Sequence, residues 1–379
     1  MSLNSYQNVD RIQLAQDLDE IHRDVLTRIG DQDFKHLKKM ERWGKACTLL
    51  GYGTAWIIPN PVSALLISQG NFTRWTLLTH PVVHKGYDTI TAIPDRYTSK
   101  KFAQGWRRFI DWPDWITPAG WHQEHDVLHH YHLGEKQDPD CIQQNMVWLR
   151  HSIVPMWMRF LLVGLMTTTW KLFYYVPKSQ KELHLSRVRK RGEPIPEMPL
   201  KNTWSFFSPE GKALWFESVF PYVGFRFVFL PLLFLPLGAA AAISVLVNSI
   251  FAEALTNMHS FLVIVPNHAG DDVMMFEEKC NGKGEFYLRQ ILGSVNYRTG
   301  SNVNDFFHGW LNYQIEHHLW PDIPLSQYQF IQPKVVAVCK KHGIPYRQQS
   351  VFKRLVKAVD IMVGRASMLQ PLQATRHCY

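Results

Sequence analysis

Eight of the eighteen histidines in this chain sit in short runs whose spacing constrains the fold more than any other feature. The runs read His80-x-x-x-His84, His125-x-x-x-His129-His130 and Gln314-x-x-His317-His318, with His268 in Pro266-Asn267-His268. Neutral imidazole is the commonest protein metal ligand and suits iron, copper and zinc. Residues four apart lie one above the other on a helix, so His80/His84 and His125/His129 each aim two rings one way. Position 130 is turned by about 140° from position 125 at ~3.6 residues per turn, which lets it reach a second metal. Eight nitrogens are too many for one ion and about right for two. The fold must therefore gather four distant stretches around two metal ions. His22, His36, His184, His342 and His377 read as ordinary satisfied or surface side chains.

The apolar pattern says where those stretches can be. From Ala46 to Thr73 there is no charged residue, and Pro59-Asn60-Pro61 divides the run into arms at about 43–58 and 61–79. The arms are short against the ~20 residues that span hydrocarbon. Lys38, Lys39, Arg42 and Lys45 precede the first arm and Arg74 lies near the end of the second, so both ends read as cytoplasmic. A second uncharged run covers Phe227 to Ala252, with a bend at Pro236-Leu237-Gly238 and arms at 219–236 and 239–265. Glu253 inside an apolar arm is costly unless it faces protein or water, which makes it a functional candidate. A third segment, 153–176, carries Arg159 and Lys171. His84, His130 and His268 need one side of the membrane, so an even number of crossings must separate them. Two hairpins satisfy that, and 153–176 is then expected to lie in the interface. The basic run Arg187, Arg189, Lys190, Arg191 stays cytoplasmic.

Composition agrees. The chain has 14 Trp and 14 Tyr, residues that favour a water–lipid boundary, while a mean hydropathy of −0.19 leaves much of the 379 residues in water. Five scattered cysteines with no C-x-x-C exclude a disulfide framework or zinc ribbon. A net charge of +9 without a nucleic-acid motif points to lipid headgroups or an acidic partner and not to nucleic acid. Residues 1–45 form a polar N-terminal segment without a signal-peptide apolar core. The expected organisation is that segment, a membrane domain over 46–365, and a tail over 366–379. Residues 325–341 and 348–364 have helical periodicity, joined by Gly343-Ile344-Pro345. The expected fold is mainly α. It has four transmembrane helices as two hairpins, interfacial helices, and a cytosolic helical cap from 85–152, 177–217 and 269–379 that holds the metals.

The pattern of three boxes, H-x-x-x-H, H-x-x-x-H-H and Q-x-x-H-H, with a membrane hairpin before the third, resembles the integral-membrane fatty-acid desaturases. The run Leu311-Asn312-Tyr313-Gln314-Ile315-Glu316-His317-His318-Leu319-Trp320-Pro321 is similar to the front-end acyl-lipid members, where Gln replaces the first histidine. Asp138-Pro139-Asp140, Leu235-Pro236-Leu237-Gly238, Asn267-His268 before Asp271-Asp272, and Lys340-Lys341-His342-Gly343-Ile344-Pro345-Tyr346 extend the likeness over roughly 45–365. Two departures stand out. Pro81 occupies a first-box position where the family often has Asp. The His-Pro-Gly-Gly haem motif of a fused cytochrome b5 domain, usual among front-end members, is absent from this sequence.

The resemblance implies a di-iron centre (Fe2+/Fe3+) ligated by His80, His84, His125, His129, His130, His268, His317 and His318, with Gln314 as a weak or water-mediated ligand. It implies no catalytic residue beyond these ligands. It further implies O2 as co-substrate, a fatty-acyl lipid or acyl-CoA substrate in the bilayer, and a separate electron donor, a ferredoxin or cytochrome b5. The enzyme is then a multi-pass membrane oxidoreductase with its metal site on the cytosolic side. An oxygenase on the same scaffold, a hydroxylase or ketolase of a lipid or carotenoid, is the alternative. Glu124, Asp126 and Glu316 adjoin ligands and are placed to accept their free N–H groups. His122, His132, His151, His259 and His308 flank the boxes in supporting roles, and His122 is the one nearest to being a further ligand, a turn before His125.

Overall fold

Proline sets the local geometry of the long helices in the computed structural model, which describes residues 8–196 and 198–370; His377 and Cys378 lie outside the described residues. Five helical stretches among the described residues have wide, i→i+5 turns: Arg74–Thr79, His122–His129, Lys171–Tyr175, Leu214–Val219 and Gly224–Phe229. Four of them end two residues before a proline, at Pro81, Pro177, Pro221 and Pro231. Proline lacks an N–H, and its ring crowds the carbonyl four residues back. Widening the preceding turn moves that carbonyl aside and keeps the helix going. The stretch His122–His129 has no such proline behind it, and it carries second-box histidines. Wide turns without a backbone cause are frequent at functional sites. The α-helical geometry expected for the second box is thus replaced by a wider one, which ends at His129 and leaves His130 in a turn.

The chain divides into two compact units. One unit comprises Phe34–Leu128 and Gly164–Phe261. Here the helix Asp31–Ala55 is followed by Pro61–Thr73, and Asn60 caps the second helix by accepting from the Ser63 N–H at 2.8 Å, with Pro61 in the first turn. The two arms approach closely at glycines: a Cβ on Gly51 would stand 2.9 Å from the Ile67 nitrogen, and one on Gly70 only 2.1 Å from Thr48 Oγ1. Asn248 satisfies the backbone at the turn, accepting from the Asn60 N–H and donating to the Ala55 carbonyl, both at 2.9 Å.

Two helices, Pro209–Leu237 and Ala239–His268, are long and apolar enough to cross a membrane, joined at Gly238, whose φ of 107° suits glycine. Within 153–176 the apolar helix Met156–Thr167 has only 12 residues, about 18 Å at 1.5 Å per residue, short of a ~30 Å core. Glu253 proves to be a structural carboxylate. It accepts from Trp115 Nε1 at 2.7 Å, Tyr222 Oη at 2.5 Å and Asn257 Nδ2 at 2.9 Å, so its burial is compensated by protein donors.

The other unit gathers the described parts of Met1–Asp33, His129–Val163 and Leu262–Tyr379. The helix Arg11–Leu26, capped by Asp10, buries Leu14, Leu18, Ile21 and Val25 against the helices Lys283–Leu292 and Tyr328–Lys341. Two-residue strands Asn296–Tyr297 and Gln348–Gln349 pair in parallel, placing the final helix Val351–Val363. Arg354, on that helix and fully buried, donates to the Pro266 carbonyl (3.3 Å), the Ala269 carbonyl (2.7 Å) and Asp272 (2.6 Å). The helix thereby grips both sides of His268. Cys47, Cys141, Cys280 and Cys339 are all free thiols.

Candidate metal centre

In the first unit the end of the helix carrying His80–Val83 and the wide helix His122–His129 bring His80, His84 and His125 together. One ligand atom from each lies within 4.8 Å of the others. His80 Nε2 and His125 Nε2 are 3.3 Å apart. Trp121, almost fully buried, walls the group, its ring 5.5, 5.1 and 4.6 Å from those of His80, His84 and His125. His84 Nδ1 meets Asp126 Oδ1 at 3.0 Å. Burial pushes the Asp126 pKa up to about 6, against the opposing pull of His122.

In the second unit His129, His268 and His318 converge in the same way, again within 4.8 Å. Their tautomers follow from their partners. His268 Nδ1 faces the Gly293 carbonyl at 3.1 Å, so it carries the proton. His129 Nδ1 faces Asp138 Oδ1 at 2.9 Å. Burial alone would raise the Asp138 pKa, but His129 and the backbone N–H groups of Gly134 and Asp140 bring it below the ordinary value. His318 Nδ1 faces Gln290 Oε1 at 3.0 Å, and that amide cannot be reversed because Gln290 Nε2 donates to the His130 carbonyl. His268 Nε2 and His318 Nε2 are therefore both unprotonated, and they stand 3.1 Å apart. Two lone pairs so placed repel unless a cation lies between them. Imidazole nitrogens ~2.1 Å from one ion stand about 3.0–3.4 Å apart at bond angles of 90–110°. The donor set fits a metal. Burial, followed by the neighbouring histidines, holds His318 well below its ordinary pKa and so keeps it in the neutral form that binds one.

His130 and His317 lie beside this triad, with ring centroids 4.7 Å apart, and His130 is 4.4 Å from His318. Tyr328 Oη and His317 Nδ1 share a hydrogen bond at 3.1 Å. Gln314 is present too, with its orientation fixed. Asn267 Nδ2 donates to the carbonyls of Val263 and Leu311 and to Gln314 Oε1, which turns the Gln314 amide nitrogen to His268 Nε2 at 2.8 Å. In this pose Gln314 gives His268 a donor and presents no lone pair of its own.

His125 stands in the group with His80 and His84, and His129 in the group with His268 and His318. Of the three carboxylates expected to hold box histidines, Asp126 lies 3.0 Å from His84 Nδ1. Glu316 instead accepts from Asn296 Nδ2 and Tyr346 Oη, both at 2.8 Å, and fixes the third-box helix Gln314–Leu319 from behind, with burial raising its pKa to about 7. Glu124 is fully buried. His122 takes no part in either group and bonds to Asp126. Sequence reasoning missed Asp138, Gln290, Tyr328, the Gly293 carbonyl, Trp121 and Arg354. Only Asp138, nine residues after His129, left a trace, in the Asp138-Pro139-Asp140 likeness.

Comparison with known proteins agrees with this geometry. A stearoyl-CoA 9-desaturase described as NADPH-dependent, from Mycobacterium tuberculosis, is 25% identical over 348 residues, covering 88% of this chain and 74% of that protein. An acyl-lipid (9-3)-desaturase of Borago officinalis is 49% identical over 87 residues, 23% of this chain and 18% of that one. A Delta(8)-fatty-acid desaturase of Euglena gracilis is 38% identical over 85 residues, 22% and 20% of the two chains. The family model for fatty acid desaturases matches residues 54–350 and so takes in every histidine of both groups, which makes this chain an oxidoreductase of the fatty acid desaturase family.

Proposed function

We propose that the protein is an O2-dependent acyl desaturase whose two histidine groups hold two iron ions. The observation that carries this reading is the pair of facing unprotonated nitrogens on His268 and His318, beside a second group in which His80 Nε2 and His125 Nε2 are 3.3 Å apart, inside a family of desaturases. Removing hydrogen from adjacent methylenes is beyond any side chain, and bound iron supplies that oxidising power from O2 and two electrons. The balance is one O2, two electrons, two protons and two substrate hydrogens giving one C=C and two waters. What the protein contributes is preorganisation. Asp138, Gly293 and Gln290 each fix an Nδ1 proton, which aims Nε2 inward. His130 and His317 complete the ligand set, and Gln314 contacts metal through water. The relatives' names place stearoyl-CoA and acyl lipids among the substrates to test here.

The reading includes four crossings, adding 43–58 and 61–79 to the two long helices, with the metals on the cytosolic side. It also includes a separate acidic electron carrier. Arg187, Arg189 and Lys190 are exposed at the end of the helix Val176–Lys190, and they support docking better than Lys341, which is paired to Asp17 at 2.6 Å. Expression in a host with simple lipids, followed by gas chromatography–mass spectrometry of its fatty acids, tests the function. A new unsaturated acid supports it, and a hydroxy or keto product replaces it with the oxygenase alternative.

A further inference from the structure

Within Phe34–Leu128 and Gly164–Phe261 lies a cavity of about 590 Å³, in the range of small-molecule sites. Its lining combines Phe102 and Phe109 with Lys85, Arg108 and His122, against the single carboxylate of Glu217. The wall is built at a conformational cost. Lys85, directly after His84, has φ of 69°, and Ala103 has φ of 53°, conformations that side-chain-bearing residues seldom adopt. Strain of this kind concentrates at functional sites.

One lining residue leads inward. His122 Nδ1 bonds Asp126 Oδ2 at 2.7 Å, and the other oxygen of the same carboxylate lies 3.0 Å from His84 Nδ1, close enough for its charge to act on that ring. The His122 side chain is 54% exposed whereas that of His84 is 3% exposed, so the three residues run from an accessible cavity wall to a buried ligand.

We propose that an anionic phosphate group seated in this cavity bonds His122 and acts through Asp126 on His84, which makes His122 a positioning residue. A hydrogen bond accepted from His122 Nε2–H draws proton density from the imidazolium, which changes its hold on Asp126 Oδ2. A carboxylate that gives less to His122 keeps more negative charge on the oxygen beside His84 and makes Nε2 of His84 the better donor. Occupancy of the cavity thereby tunes a ligand nitrogen without touching it. Lys85 and Arg108 supply charge complementarity for the phosphate. The inference rests on His84 being a metal ligand. The same phosphate chemistry is carried by a coenzyme A ester and by a phospholipid headgroup.

Full-length protein in detergent, loaded with cobalt(II), tests both points, because cobalt absorbs in the visible according to its ligands. It is titrated with the unreactive S-stearyl thioether of coenzyme A, with stearoyl lysophosphatidylcholine, and with stearate as the phosphate-free control. The expected result is a saturable spectral shift with one phosphate probe, which identifies the source, and none with stearate. His122→Phe is expected to retain cobalt but lose the shift, with probe affinity about tenfold weaker, mid-range for coupled sites. His122→Gln, which keeps a donor for Asp126, partly restores it, and Lys85→Glu weakens probe affinity with the bound-state spectrum unchanged. An equal shift in wild type and His122→Phe, or no shift with either phosphate probe, overturns the inference and leaves the metal site standing. Failure of the wild type to retain cobalt overturns the ligand assignment itself.

Discussion

Asp138 Oδ1 lies 2.9 Å from His129 Nδ1 while its other oxygen accepts from the Gly134 N–H at 2.9 Å, so one buried carboxylate fixes both a buried imidazole ring and the turn after it. Asp138→Asn keeps an acceptor and removes the charge. Metal affinity is expected to fall about 10–100-fold, as for other partners of ligating histidines. Competition with a chelator of known affinity measures it, and an unchanged affinity would show that the pair has no bearing on the metal.

Gln290 makes a sharper case, because its two amide atoms do different jobs. Gln290→Leu leaves His318 Nδ1 without its acceptor in a fully buried position. A cost of about 1–3 kcal/mol in stability is expected for the orphaned group, with the His318 tautomer no longer fixed. Gln290→Glu keeps the acceptor and should bind metal better than the Leu variant.

Arg354 tests whether the last helix matters to the site. Arg354→Met removes the donor from two carbonyls around His268 and leaves Asp272 with Lys357 alone, at a cost of about 1–3 kcal/mol. Thermal unfolding in detergent should shift down strongly. Lys357→Met, which removes only a partly exposed partner of Asp272, should change it little.

Acid sensitivity should trace to Glu41. Burial would raise its pKa, but Lys38, Lys45 and Tyr97 lower it from an ordinary 4.5 to about 2. A carboxylate depressed on folding stabilises the fold above its unfolded pKa and loses that contribution as pH falls through the folded one. Glu41→Gln is therefore expected to be less stable than wild type above about pH 4.5, with the difference closing between pH 4.5 and 2. Parallel unfolding curves across that window would contradict the assignment.

The clustered histidines could be read from the sequence because metal spacing is local: a pair four apart or a doublet announces itself. What holds their rings was hidden because it comes from far along the chain. Gln290 reaches His318 across 28 positions and the Gly293 carbonyl reaches His268 across 25, and neither residue type signals such a role. The turn at Pro59-Asn60-Pro61 was legible, since proline and a capping Asn act on their neighbours. The wide turns before Pro81, Pro177, Pro221 and Pro231 obey the same local rule once it is recognised. The one at His122–His129 does not, and no residue there predicts it. Glu253 looked functional by the cost of burying a charge, but Trp115, Tyr222 and Asn257, each remote or a turn away, meet that cost.

The most direct measurement is the metal content of the purified full-length protein after expression with iron supplied. The account predicts about two irons per chain, falling to one or fewer when His318 or His125 is replaced by Ala. About one zinc per chain with no iron, indifferent to both substitutions, would contradict it.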